Sequence, residues 1–284
     1  MKKSSHADSG RLRLRGRRER LQERAREEAS ERFSFDLDVS LEGRVALVTG
    51  GGAGIGRAIA LALGRAGANV AVNYHSNRKP AALVAGEIRD YGRKAIVVRA
   101  DVSSPAGAAR AVEMAASQFG RLDILVNNVG DFLLKPLLDV TPLEWQATIR
   151  SNLDSAFYCS LRAVPHMKKR GWGRILNLGV AGCDSIRAFP NTTAYNVAKT
   201  GVLLLTKSLA KEVAPFGITV NAVAPGLIDT GATARRMMTK FELSVPMRRA
   251  GTLDEVVEVV LFLAGERASY ITGACVPVSG GWLV

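Results

Sequence analysis

The apolar run Arg44-Val-Ala-Leu-Val48 passes directly into Thr49-Gly-Gly-Gly-Ala-Gly-Ile-Gly56, and a helical pattern, Ile55-Gly-Arg-Ala-Ile-Ala-Leu-Ala-Leu63, takes over within that turn. A short apolar run ending at glycines reads as a buried parallel strand. The helix that follows is stopped near Gly64 and Gly67. The unit then recurs. Asn69-Val-Ala-Val-Asn-Tyr74 reads as a second strand, and Ala81 to Tyr91 as a helix ending at Gly92. Ala95-Ile-Val-Val-Arg99 is a third strand, with a helix opened by Ser103-Ser104-Pro105. Ile124-Leu-Val-Asn127, Arg174-Ile-Leu-Asn-Leu178, Ile218-Thr-Val-Asn-Ala-Val223 and a short Ala274-Cys-Val-Pro-Val278 complete seven strands. Alternating strands and helices predict an α/β fold of Rossmann type: a doubly wound, parallel seven-stranded sheet in a single domain spanning 41–284.

Residues 1–40 read differently. Arg11, Arg13, Arg15, Arg17, Arg18, Arg20, Arg24 and Arg26 crowd this segment and supply part of the formal charge of +13. Arg20-Leu-Gln-Glu-Arg-Ala-Arg-Glu-Glu-Ala29 has helical charge spacing but a thin apolar face, so a basic, mobile arm is expected. The remaining positive charge is dispersed without interleaved aromatic residues, which argues against nucleic acid as a partner. No apolar run approaches the ~20 residues of a membrane helix, and no secretory segment follows the basic start. Cys159, Cys183 and Cys275 are scattered and odd in number, as expected of reduced thiols in a cytoplasm. Neither they nor His6, His75 and His166 have the spacing of a metal site.

Two patterns carry chemistry. Gly50, Gly54 and Gly56 follow strand one and open helix one, where residues without Cβ let backbone approach a pyrophosphate and the helix start offers free N–H groups. Tyr195 and Lys199 lie one helical turn apart in Thr193-Ala-Tyr-Asn-Val-Ala-Lys199. At that spacing an ammonium beside the phenol is expected to lower the tyrosine pKa, fitting Tyr195 for general acid–base work. The end of strand two sets the cofactor. No acidic residue stands between Gly50 and Glu87, while Asn73, His75, Arg78 and Lys79 cluster there. An acidic residue would bond ribose hydroxyls and repel a 2′-phosphate, so its absence favours NADP (NADPH) over NAD.

Taken together, Thr49-Gly-x-x-x-Gly-Ile-Gly56, Asn127-Asn-Val-Gly130, Tyr195-x-x-x-Lys199 and Pro225-Gly226 resemble the short-chain dehydrogenase/reductase family. The likeness runs from about Leu41 to Val284 and leans toward the 3-oxoacyl-thioester (acyl-carrier-protein) reductase branch. Ser269-Tyr-Ile-Thr-Gly273 and Ser279-Gly-Gly281 also fit, with Ser279 where the family commonly has Asp. The resemblance implies a carbonyl reductase in which Tyr195 donates the proton and Lys199 holds the nicotinamide ribose. Asn152 would support a water relay to the lysine. Gly50, Gly54, Ile55 and Gly56 would border the pyrophosphate, and Asp101 and Val102 would meet the adenine. Asn127 and Gly130 would border the ribose or stabilise the sheet. Pro225, Gly226, Ile228 and Thr230 would flank the carboxamide.

The family's serine is missing from its expected place. Val180 follows the glycine after strand five, and counting back from Tyr195 gives Gly182; neither carries a hydroxyl. Cys183, Asp184 or Ser185 is left as a substitute, and losing one such donor costs roughly 10²–10³ in rate. A nucleotide-binding regulator without turnover is therefore the alternative reading. Leu227 to Met247, with Met237 and Met238, is expected to form a substrate lid. Arg170 fits recognition of an acidic carrier, but Phe216 stands where a second basic residue would be. The resemblance further implies a small carbonyl or acyl-thioester substrate and a homotetramer built through helices including 141–165 and 195–216.

Overall fold

The computed structural model describes residues 39–231 and 243–283. The basic arm, its charged helix and the Met237–Met238 part of the expected lid lie outside the described residues.

Seven strands form one parallel sheet in the order β3-β2-β1-β4-β5-β6-β7. They are β1 (Val45–Val48), β2 (Asn69–Tyr74), β3 (Ala95–Arg99), β4 (Ile124–Asn127), β5 (Gly173–Leu178), β6 (Ile218–Pro225) and β7 (Cys275–Val278). The principal helices are α1 (Gly54–Arg65), α2 (Arg78–Asp90), α3 (Pro105–Phe119), α4 (Pro142–Ile149), α5 (Ser155–Lys168), α6 (Thr193–Val213) and α7 (Leu253–Ala264). Each strand expected from the sequence is present within two residues at either end.

Because both faces of a parallel sheet are covered, the strands are mostly apolar and two cores result. On one face Ile59, Leu63, Val84, Ile88, Val256 and Val260 from α1, α2 and α7 pack on Ala46, Val48 and Val70. On the other, Ala108, Ala111, Val112, Cys159, Ala163 and Leu209 from α3, α5 and α6 pack on Val45, Leu47, Leu125 and Ile175. Buried residues on α1 recur at helical spacing, and Gly64 admits Ile88 so closely that a Cβ there would sit 3.0 Å from its Cγ2.

The chain leaves β1 toward β2 on one side and returns to β4 on the other. This reversal opens a crevice at the carboxyl ends of β1 and β4, where ligands bind in open sheets of this kind.

Between α4 and α5 the helix runs on through a π-helical turn, Arg150–Asp154. Side chains replace the displaced backbone pairing: Asn152 Nδ2 donates to Thr148 O at 3.0 Å, and Ser155 Oγ donates to Ser151 O at 2.6 Å. Such single π turns bulge a helix and re-aim one residue. Here the residue is Asn152.

Candidate functional site

Gly50 and Gly54 adopt φ of +61° and +51°, a conformation that side chains with Cβ rarely take. Gly56 needs its missing Cβ for another reason, since one there would lie 2.5 Å from both Gly50 O and Asn128 Nδ2. Thr49 and Asn128 hold the turn. Thr49 Oγ1 donates to Val126 O and accepts from the N–H groups of Asn128 and Val129, while Asn128 Nδ2 donates to Thr49 O at 3.0 Å. The doublet Asn127-Asn128 thus divides its work, a signal the sequence carried without showing which member braces the turn.

The helix start above this turn is open. Ala53 precedes α1 and gives no side-chain cap, and its first turn has no acidic residue. By contrast α2, α3, α4 and α7 are capped by Asn77, Ser104, Thr141 and Thr252. Uncapped N–H groups and the dipole of a twelve-residue helix suit an anionic group such as a pyrophosphate. Ile55 is partly buried behind the turn. Thr230 approaches from the far side, its Cγ2 4.0 Å from the Cβ position of Gly54. Gly226 packs on Ser279, where a Cβ would come 2.8 Å from the backbone, and its N–H donates to Val278 O. Pro225 closes β6 beside it, and Ile228 is buried against Gly251.

Several expected ligands are committed elsewhere. Asn73 is buried; its Oδ1 accepts from Gly50 N at 3.3 Å and its Nδ2 donates to Val98 O and Ala100 O. It braces the glycine turn against β3. Asn127 likewise turns inward, donating to Asn177 Oδ1 at 2.8 Å and Ser160 Oγ at 3.0 Å. Its Oδ1 is buried without a hydrogen-bond partner. Val102 is buried in the core. Asp101 accepts from the Ser103 hydroxyl and backbone, and these bonds, with help from His75 and Arg150, hold its carboxyl below the usual range. Arg78 and Lys79 are exposed at the start of α2, where Gly52 comes against Ala81 N.

At the other end of the crevice Tyr195 and Lys199 share one face of α6, with Nζ 5.7 Å from the ring centroid. Lys199 is buried and donates to Leu178 O at 2.7 Å. Asn152 Oδ1 is buried without a hydrogen-bond partner, while its Nδ2 donates to Asp131 O. A Cβ on Gly130 would sit 2.2 Å from that oxygen and 3.3 Å from Lys199 Nζ, so only glycine leaves room for both groups here. Phe132 packs edge-on to Tyr195 at 5.1 Å and leaves much of its own ring exposed, a neighbour the sequence gave no means to find.

The expected lowering of the tyrosine pKa is not what the structure gives. Burial, with a contribution from Cys183, pushes the Tyr195 phenol up to about 12. Burial also pushes Lys199 down to about 8, because desolvation penalises the charged form of each. Burial here outweighs the i, i+4 attraction.

Among the described residues no hydroxyl is found at the place of the missing serine. Val180 is partly buried on a small apolar cluster, and Gly182 adopts φ +79° with its Cβ position against Leu283. Ser185 turns its hydroxyl back to Gly182 O at 3.3 Å.

A family model described as enoyl-(acyl carrier protein) reductase matches residues 50–283. The chain is 38% identical over 251 residues to the 3-oxoacyl-(acyl-carrier-protein) reductase FabG of Aquifex aeolicus, covering 86% of this chain and 99% of that protein. It is 35% identical to the D-beta-hydroxybutyrate dehydrogenase of Rhizobium meliloti, over 84% of this chain and 98% of that one. Among solved structures, acetoin dehydrogenase YohF of Salmonella typhimurium superposes with a TM-score of 0.78 at 35% identity, covering 84% of this chain and 96% of the other.

Proposed function

The chain belongs to the short-chain dehydrogenase/reductase family, and on that premise we propose that it reduces the ketone of a 3-oxoacyl thioester with NADPH. The observation that carries the reading is the meeting of Tyr195, Lys199 and the unpaired Asn152 oxygen around Gly130, at the mouth of a crevice with an open helix start. The relatives bear names of enzymes that interconvert a ketone and a secondary alcohol, and an oxidoreductase of that kind uses a nicotinamide cofactor.

A bound nicotinamide supplies or accepts the hydride. Tyr195 gives its phenolic proton to the carbonyl oxygen as charge develops there. Lys199, fixed by Leu178 O, holds the ribose and compensates the phenolate once the proton has left. The unpaired Asn152 oxygen is an acceptor through which a water relay to Lys199 would give the proton a route to solvent. Gly50, Gly54, Ile55 and Gly56 with the start of α1 would hold the pyrophosphate, and Pro225, Gly226, Ile228 and Thr230 would flank the carboxamide. This arrangement favours an enzyme over the turnover-free regulator, whose only support is the missing serine.

Selectivity for NADP is assigned to Arg78 and Lys79, with Asn73 withdrawn from that role. Each charged hydrogen bond to a 2′-phosphate contributes about 1.5–3 kcal/mol. Replacing both residues by Glu is therefore expected to weaken NADPH at least about tenfold relative to NADH. The test is NADPH and NADH oxidation with acetoacetyl thioester and a panel of diketones. Turnover with NADPH preferred, and the preference lost in the double variant, supports the proposal. Binding of NADPH without reduction of any ketone overturns it.

The raised phenol sets the direction of the pH response. Alcohol oxidation needs Tyr195 ionised and Lys199 charged, so its kcat/KM rises with pH by up to about tenfold per unit below the Lys199 value of about 8 and flattens above it. Reduction needs the protonated phenol and gains nothing over the same range. A flat oxidation profile from about pH 6 to 8 would contradict Tyr195 as the base.

Among the described residues no helix is long and apolar enough to cross a membrane. We place the protein in the cytoplasm, as a homotetramer joined through the helices of 141–165 and 195–216, that is α4, α5 and α6. Phe157, Leu161, Val197 and Leu204 are exposed on those helices and give such an assembly its apolar contacts.

A further inference from the structure

Cys183 and Cys275 stand 92 positions apart, yet their sulfurs approach to 3.9 Å. The sheet makes the approach. Cys275 opens β7 opposite Ala222 of β6, and the turn after β5 is tied along the same strand by Gly179 N donating to Val223 O and Ala181 N to Pro225 O. Cys183 is buried in that turn, while Cys275 is partly exposed and gives a small oxidant a way in. Both are free thiols. The third, Cys159, is buried in the opposite core, and burial pushes its thiol up to about 12, so it serves as an internal control.

We propose that Cys183 and Cys275 are an oxidant-sensitive dithiol, and that its closure to a disulfide slows turnover at the adjacent Tyr195–Lys199 pair. The effect on turnover rests on the reductase reading above; the chemistry of the dithiol does not. With hydrogen peroxide as oxidant, the Cys183 thiolate attacks one peroxide oxygen, the O–O bond breaks and one water leaves. The sulfenic acid so formed is attacked at sulfur by Cys275, the S–S bond forms and a second water departs. Two thiols have lost two electrons and two protons, and one peroxide has become two waters. The contact with Cys275 at 3.9 Å lowers the Cys183 thiol from its ordinary value and favours Cys183 as the attacking sulfur.

Closure has a structural consequence. A disulfide is about 2.05 Å long, so one or both sulfurs must move together by roughly 2 Å. Cys183 sits in the turn that also carries Val180 and Gly182, and its N–H donates to Val180 O at 3.0 Å. That turn cannot follow the sulfur without shifting the segment where the family's serine is expected, and Cys183 there lies close enough to bear electrostatically on both Tyr195 and Lys199. A displacement of about 1 Å near reacting groups costs on the order of 10²-fold in rate.

The test treats the full-length protein with peroxide and follows free thiols, disulfide-mapped peptides and NADPH-dependent turnover together. The expected result is loss of two thiols, a Cys183–Cys275 linked peptide, and a fall in kcat of about tenfold or more that dithiothreitol reverses. Cys275→Ser and Cys275→Ala are expected to keep the reduced protein's kcat and to form no linked peptide; Cys159→Ser is expected to behave as the parent. Peroxide treatment that leaves both thiols free, or oxygenates Cys183 without linkage, overturns the dithiol. A linked peptide with kcat unchanged overturns its effect on turnover. If the protein reduces no ketone at all, the reductase reading fails and the peptide map still decides the dithiol.

Discussion

Tyr195→Phe is expected to lower kcat for ketone reduction by about 10²–10⁴-fold, the share a positioned general acid contributes, while leaving NADPH affinity within about twofold. The substitution removes one oxygen and keeps the ring, so the edge-on contact with Phe132 at 5.1 Å survives and α6 is undisturbed. The effect is expected to be large because this site lacks the hydroxyl usually found after β5. Val180 offers none, and Ser185 spends its hydroxyl on Gly182 O, so Tyr195 is left as the principal donor to the carbonyl oxygen. Steady-state kinetics with cofactor titration by fluorescence would separate the outcomes. A kcat retained within a few-fold would remove Tyr195 from the chemistry.

The second large effect concerns stability. Asp123 is fully buried at the entrance to β4; its carboxylate accepts from Val45 N at 2.8 Å and from both ends of the Arg121 guanidinium at 2.7 Å. Its backbone also joins β1 to β5, donating to Val45 O and accepting from Arg174 N. Breaking a buried ion pair by removing one partner typically costs about 3–5 kcal/mol. Arg121 retains some exposure, so solvent can take up part of its charge, and about 3 kcal/mol is expected for Asp123→Ala. The midpoint of urea unfolding, at unchanged slope, measures it. A loss below about 1 kcal/mol would mean that the carboxylate contributes no more than an ordinary surface pair.

The strands and the glycine turn were legible because burial on both faces leaves few residue choices and because a tight turn excludes Cβ. Asn73 shows where that legibility stops. A polar residue at the end of an apolar strand marks a special position, but only the fold shows that its amide bridges Gly50 to the carbonyls of β3. Spacing alone put Lys199 beside Tyr195 and implied a lowered phenol pKa. The depth of α6 against β5 reverses the sign, since desolvation acts on both groups and Lys199 gives a hydrogen bond to Leu178 O. The π turn at Asn152 left no sequence pattern, because its side-chain bonds to Thr148 and Ser155's bond to Ser151 depend on a helix already formed. The Cys183–Cys275 approach required the order β5-β6-β7, which links residues far apart in the chain.

The most direct test of the account is to follow a labelled hydride. NADPH carrying deuterium at the transferring position of nicotinamide C4, incubated with the protein and acetoacetyl thioester, is expected to place deuterium on the new carbinol carbon of the 3-hydroxyacyl product, with transfer suppressed in Tyr195→Phe. NADPH that binds saturably while no deuterium reaches any ketone in the panel would contradict hydride transfer at this site.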